Sequence, residues 1–352
     1  MKKFLLLAGV ATLITGAAQA GELELGIEGS ASVYGVYVNQ ESSVERAEFG
    51  IKKEIELNFT GEVELDSGLT VGASMQISEE DGGYYNNIQE NYIFVEGGFG
   101  KAIIGQEYNA AYLMQVAAPA VDAELDGMDP VYSVVDSDGT GISDGSYAMY
   151  GDGLEGYNSG YNNAGGDKIT YISPIFSGLQ LGASYTPETY YVSNHGVNDA
   201  DKADSAYSIA GRYAAEDVLG ADWTIGAGYN ETVFDGDDQI MEWNVGVNAK
   251  ADAWTTGAAF YRADDEEADE ETEALALGVN YENGAFVYGA SYLAKEVFDG
   301  STKDELNRYM AGVNYTYGPG MTLNGSVAFN ELKDSTDSHD ATVVAVGTVI
   351  NF

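Results

Sequence analysis

Between Gln106 and Lys168 the sequence carries eleven carboxylates and no Lys or Arg: Glu107, Asp122, Glu124, Asp126, Asp129, Asp136, Asp138, Asp144, Asp152, Glu155 and Asp167. Carboxylates crowded into a confined aqueous space without counter-charge concentrate cations and repel anions. The competing reading is a solvated acidic surface loop. Within the run, Asp136-Ser137-Asp138-Gly139-Thr140 and Asp144 offer oxygen ligands at spacings that calcium accepts. Asp136, Asp138 and Asp144 are therefore the candidate metal ligands, although the twelfth position of an EF-hand loop is here Tyr147 rather than Glu. The alternative is a loop of Gly, Asp and Ser that binds nothing, and no other cofactor is expected. Tyr147, Tyr150, Tyr157 and Tyr161 could stack on saccharide rings or anchor the stretch against a wall. A phospholipase of the outer membrane would need Ser, His and a polar partner converging on a strand surface. The two histidines, His195 and His339, fall in connections without such a setting, so no enzyme activity is expected.

The residues around this run must place it. Lys2 and Lys3, an uncharged apolar stretch over 4–13 and Ala18-Gln19-Ala20 form the three-part pattern of a secretory signal peptide cut after Ala20. The expected division is a signal peptide over 1–20 and one domain over 21–352, with 107–167 as a long internal loop. The apolar stretch is too short for a membrane-spanning helix, which takes about 20 residues. Beyond residue 20 the chain has 13 basic residues (15 less Lys2 and Lys3) against 57 acidic ones, a balance of −44. That excludes nucleic acid as a partner, because phosphate contacts need Lys and Arg, and argues against a polybasic membrane-surface protein. Such acidity often means disorder, but 45% hydrophobic residues and 26 tyrosines argue for a folded chain. Cysteine is absent, so stability must come from something other than disulfides; a closed hydrogen-bonded barrel would supply it.

The remaining sequence alternates with a period of two, the mark of strands with one wet and one apolar face. Ile55, Leu57, Phe59, Val63 and Leu65 share one side; Glu54, Glu56, Asn58, Thr60, Glu62 and Glu64 share the other. Sixteen such segments are expected, over 23–38, 47–65, 69–78, 88–97, 101–106, 168–176, 179–187, 204–215, 221–231, 239–252, 253–263, 273–282, 285–296, 304–317, 321–333 and 341–352. Short connections such as Asp66-Ser67-Gly68 and Gly318-Pro319-Gly320 alternate with longer ones over 39–45, 79–87, 188–203, 264–271, 298–303 and 334–340. An even strand number with short turns at one end and longer loops at the other is the pattern of an all-β transmembrane antiparallel β-barrel. Aromatics near strand ends, among them Tyr34, Tyr92, Phe94, Tyr185, Tyr207, Trp243, Tyr281, Phe286 and Tyr309, fit a girdle at the lipid headgroups. The chain closes on an alternating segment ending in Phe352, as outer-membrane barrels do.

In architecture the whole chain after residue 20 resembles the general diffusion porins of Gram-negative bacteria, especially the trimeric Rhodobacter type. The likeness is sharpest at Gly98-Phe99-Gly100-Lys101-Ala102-Ile103-Ile104-Gly105, which resembles the stretch entering the long third loop of that family. The resemblance implies a 16-stranded barrel with its third loop folded into the lumen. It also implies a homotrimer among outer-membrane lipids and lipopolysaccharide, passing ions and small hydrophilic solutes passively. The constriction acids would then be Asp122, Glu124, Asp126, Asp129, Asp136, Asp138 and Asp144. Strand alternation points Lys52, Arg212, Lys250, Lys295 and Arg308 inward, with Arg46 at a strand mouth. In the family, a basic cluster faces the loop acids; here that wall is thin and 69–78 has no basic residue, so the acids dominate and the channel is expected to favour cations. The alternatives are a porin specific for a sugar or divalent cation, and a non-conducting structural or adhesive barrel.

Overall fold

The computed structural model describes residues 21–41, 47–79, 88–135, 147–149, 166–189, 205–234, 238–266, 268–335 and 337–352. They form a closed antiparallel barrel of sixteen strands in which each strand pairs with its sequence neighbours. The strands are β1 (Leu23–Gln40), β2 (Phe49–Glu64), β3 (Thr70–Glu79), β4 (Ile88–Gly97), β5 (Gly100–Gln106), β6 (Lys168–Ile172), β7 (Leu179–Thr186) and β8 (Ser205–Val218), followed by β9 (Ala221–Val233), β10 (Gln239–Ala251), β11 (Trp254–Asp265), β12 (Glu270–Asn283), β13 (Phe286–Phe298), β14 (Lys303–Gly318), β15 (Met321–Lys333) and β16 (Ser338–Asn351). One short helix, α1 (Ala110–Met114), lies between β5 and β6. β1 pairs with both β2 and β16, and Gly29 and Phe352 exchange two backbone hydrogen bonds of 2.8 and 2.9 Å at the seam. Closure leaves no open sheet edge, which hydrocarbon would penalise because it cannot solvate free N–H and C=O groups.

The two faces are inverted relative to a water-soluble sheet. On β8, Ser208 is 2% exposed while its neighbours Tyr207 and Ile209 are 51% and 61% exposed. β16 buries Ala341, Val343 and Ala345 and exposes Val344 and Val346. The outer face is thus a continuous apolar surface, and the inner face carries Ser, Thr, Asn, Ala and the carboxylates. Outward aromatic pairs form a belt at each end. Tyr185–Tyr207, Trp243–Phe260 and Tyr292–Tyr309, with ring centroids 4.9–5.1 Å apart, lie toward the end with the longer connections. Trp254–Tyr281 and Phe286–Tyr315, at 4.7 and 4.8 Å, lie toward the short turns. Those turns are tight: Gly178 (φ 88°) and Gly320 (φ 68°) sit in the left-handed region, where a Cβ would also overlap the carbonyl oxygens of Ala214 and Asn351.

The structure corrects three expectations. Tyr34, Tyr92 and Phe94 are not girdle residues: they alternate with the exposed Val33 and Ile93 and face inward, with Tyr34 and Phe94 buried. The expected strand 168–176 stops at Ile172, because Pro174 has no N–H to offer the ladder. The connections expected over 264–271, 298–303 and 334–340 shrink to 266–269, 299–302 and 334–337. Pairing of Asp265 with Glu270 and of Phe298 with Lys303 continues the ladders through these charged ends, which periodicity alone could not register.

Candidate functional site

Residues 107–135 follow β5, hydrogen-bond to the buried face of the strands and carry five of the eleven acids of the sequence run. The run starts with Glu107, whose carbonyl accepts from the buried Lys168 ammonium at the start of β6. Asn109 caps α1, its side-chain oxygen accepting from the Tyr112 N–H at 3.0 Å. The Ala110 N–H donates to Ser184 Oγ of β7 at 2.8 Å. Gln115 Oε1 then accepts from Asn244 Nδ2 (2.7 Å) and from the Met149 N–H (3.1 Å). Farther along, Asn248 Nδ2 donates to the Ala117 carbonyl at 2.9 Å, Asn280 Nδ2 to Ala120 at 3.2 Å, and Asn314 Nδ2 to Val121. Tyr132 closes the run: its ring meets Tyr34 edge-on at 5.6 Å and its hydroxyl lies 2.6 Å from Ser32 Oγ.

The described acids divide by role. Asp122, 1% exposed, accepts from Tyr34 Oη at 2.9 Å and from Ser326 Oγ at 3.0 Å. Asp126 accepts from Ser291 and lies 3.6 Å from Arg308 Nη1. Both therefore pin the run to β1, β13, β14 and β15. Asp129 accepts from Tyr112 Oη at 2.8 Å. Glu124 is less enclosed and sits beside Asp122, Ser32 and the wall residue Glu56. Burial holds its carboxyl above the usual range, and the charges of Asp122 and Glu56 add to that. Burial likewise raises Asp122, against the lowering effect of its Tyr34 and Ser326 hydrogen bonds. Glu107 is raised by burial too, opposed by the Tyr108 N–H, Tyr92, Lys168 and Lys101. Asp136, Asp138, Asp144, Arg46, Tyr150, Tyr157, Tyr161, His195 and the stretch 1–20 lie outside the described residues. Among the described residues, no group of three acidic, His or Cys side chains is arranged to hold a metal ion.

All five described basic residues of the sequence reading share the strand face that carries the run. Lys52 pairs across from Tyr34, and Arg212 across from Gly226. Lys250 forms a 2.7 Å ion pair with Glu282 beside a short turn. Lys295 is buried. Arg308 is enclosed, donating to the Leu125 carbonyl (2.9 Å) and to Asn330 Oδ1 (2.8 Å). Sequence reasoning missed Lys101 and Lys168 as inward bases, and Glu90 and Glu242 as buried inward acids. The parity of β4, β5, β6 and β10 would have found them.

The family model of Gram-negative porins matches residues 6–335. The chain belongs to that family. Among solved structures, an engineered variant of the Rh. blastica porin is 20% identical, with 93% of this chain covering 100% of that one at a TM-score of 0.62. A second variant of that porin is 21% identical over the same shares at 0.61, and a third is 19% identical at 0.60. At such identities these likenesses show the shared barrel and nothing finer. No curated protein matches the chain. As a Gram-negative porin it is a passive diffusion channel of the outer membrane, and its family acts there as oligomers.

Proposed function

We propose that residues 107–135 narrow the lumen of this porin and that the carboxylates collected there bias passage toward cations. The observation that carries the reading is that Asp122 and Tyr132 seat the run on Tyr34 and Ser32 of β1, beside the strand face on which β2 places Glu54 and Glu56, in a chain of net charge −42. On that face β2 and β4 bring Glu54, Glu56 and Glu90 beside the single base Lys52. The screening length at physiological salt is about 8 Å, so a charge on the wall of a narrow pore acts across its width. The same reading makes the assembly a homotrimer embedded among lipids and lipopolysaccharide, exported by a signal peptide over 1–20.

The reversal potential of the purified protein in a planar bilayer under a KCl gradient tests this. The expected sign is that of a potassium-preferring channel, with the preference reduced in Glu124→Gln and Glu56→Gln. An anion-preferring channel would remove these acids from the narrowest point, and a folded barrel without conductance would make the protein structural. Repeating the measurement with calcium tests the ligand set Asp136, Asp138 and Asp144: block would put the ion on the conduction path.

A further inference from the structure

The tripeptide Gly-Val-Asn occurs on three alternate strands, as Gly246-Val247-Asn248 of β10, Gly278-Val279-Asn280 of β12 and Gly312-Val313-Asn314 of β14; a further copy, 196–198, lies outside the described residues. On a strand, residues i and i+2 share a face. Each Val therefore points outward, while Gly and Asn point inward, toward residues 115–121. The three glycines leave room for that run. A Cβ on Gly246 would overlap the Val116 carbonyl oxygen, and one on Gly278 the Pro119 carbonyl oxygen, while one on Gly312 would crowd the Gly325 carbonyl oxygen of β15 at 2.8 Å and Val121 Cγ1 at 3.0 Å. The three asparagines then donate to the Ala117, Ala120 and Val121 carbonyls. Those carbonyls accept no backbone N–H among the described residues, so without the amides they would face the wall unpaired. On the strands between, Gly257 stands opposite Asn248 and Gly289 opposite Asn280, giving each amide space to lie flat.

The copies form a track. Register carries Gly246 across to Ala259 and Ala276, and Gly278 lies two residues beyond Ala276. It carries Gly278 to Ser291 and Met310, and Gly312 again lies two residues beyond. Each copy thus steps by one inward position, along the line followed by an extended chain. The last copy delivers the run to Asp122, one residue past the carbonyl that Asn314 holds.

We infer that the three Gly-Val-Asn tripeptides are the docking track of residues 115–121, and that Asn248, Asn280 and Asn314 are positioning residues for the acids that follow. This rests on the constriction reading above. The track fixes where Asp122 and Glu124 stand relative to Glu56, and so the aperture and the ion preference, without any of the three asparagines supplying charge.

The test is the triple variant Asn248→Ala, Asn280→Ala, Asn314→Ala, with Val247→Leu, Val279→Leu, Val313→Leu as the outward-facing control. Both are made in the full chain and checked for a folded barrel by heat-dependent gel mobility. Two readouts are taken. The first is reversal potential and open-channel current noise in KCl. The second is the mobility of a nitroxide on Ala123→Cys, an exposed site in a chain otherwise free of cysteine. The asparagine variant is expected to lose at least about half of the wild-type cation preference, to show several-fold more current noise and to mobilise the label; the valine control is expected to change none of these. An immobile label and unchanged noise in the folded asparagine variant would overturn the track. If wild type shows no cation preference but the variant still mobilises the label, the selectivity reading falls and the track stands. If the triple variant does not fold, each single variant is read by the same label, and three immobile labels overturn the inference.

Discussion

The wall built by β10, β12 and β14 and the wall built by β2 and β4 use the same kind of inward position for opposite purposes. The first places Gly246, Asn248, Gly278, Asn280, Gly312 and Asn314 there: neutral, small, and committed to the backbone of residues 115–121. The second places Lys52, Glu54, Glu56 and Glu90 there. Its polar groups are joined side chain to side chain with those of the intervening β3, as in Ser74 to Asn58 at 2.8 Å and Ser78 to Glu54 at 3.2 Å. One wall supplies position and the other supplies charge. The division follows from what each task requires. Close backbone approach tolerates no side chain, and an ionised group keeps its charge only where water or a partner reaches it. Changes on the first wall should therefore appear in stability and noise, and in selectivity only through the acids they displace, while changes on the second should appear in selectivity directly.

Arg308 breaks that division, because it is a charged residue on the positioning wall, and it gives the largest expected effect. Its guanidinium is buried against Asp126, Leu125 and Asn330. Arg308→Met leaves the Asp126 carboxylate enclosed without its counter-charge, and removing one member of a buried pair costs about 3–5 kcal/mol. The measurement is denaturant unfolding of the detergent-solubilised protein. Adding Asp126→Asn should recover a good part of the loss, since no charge is then left alone. A double variant no more stable than the single one would mean that Arg308 acts through its bonds to Leu125 and Asn330 alone.

A smaller effect separates glycines that touch the run from one that does not. In Gly278→Ala the new methyl meets the Pro119 carbonyl, and overpacking of this kind costs about 1–3 kcal/mol. Gly325 of β15 is also a strand glycine, but a Cβ there meets nothing within 4 Å. Gly325→Ala is expected to stay within about 0.5 kcal/mol of wild type. Equal losses at the two sites would mean that strand glycines matter here for backbone freedom rather than for the space they leave.

The sixteen strands were legible because both faces of each strand carry a signal: apolar toward lipid, polar toward the inside. Where one face loses its signal, the reading slipped. Tyr34, Tyr92 and Phe94 look like girdle aromatics in isolation, yet the parity set by Val33 and Ile93 turns them inward. The acid run between Gln106 and Lys168 was visible by composition, but its partners were not. Nothing local in Asp122 announces Tyr34 or Ser326, which lie 88 and 204 residues away in sequence. The recurrent Gly-Val-Asn was present in the sequence all along; its meaning needs the register that puts β10, β12 and β14 on one side of the barrel.

The smallest expected effect involves no broken bond and tests the charge wall through pH. Glu124 and Asp122 protonate at higher pH than free carboxyls because burial disfavours their charged forms. On acidification their charge, and with it their share of the cation preference, should fade before the ordinary carboxylate range near about 4 is reached. Stability should move the other way. A carboxyl whose folded-state pKa is raised binds more protons in the folded than in the unfolded state at intermediate pH, so its contribution to stability rises as pH falls through the folded value. It levels off once the unfolded value is passed. Glu124→Gln should flatten the selectivity change over that window and reduce the stability gain. If cation preference holds constant down to the pH at which exposed carboxyls titrate, the selecting charge belongs to acids in open water, and the enclosed group around Glu124 and Glu56 does not set the preference.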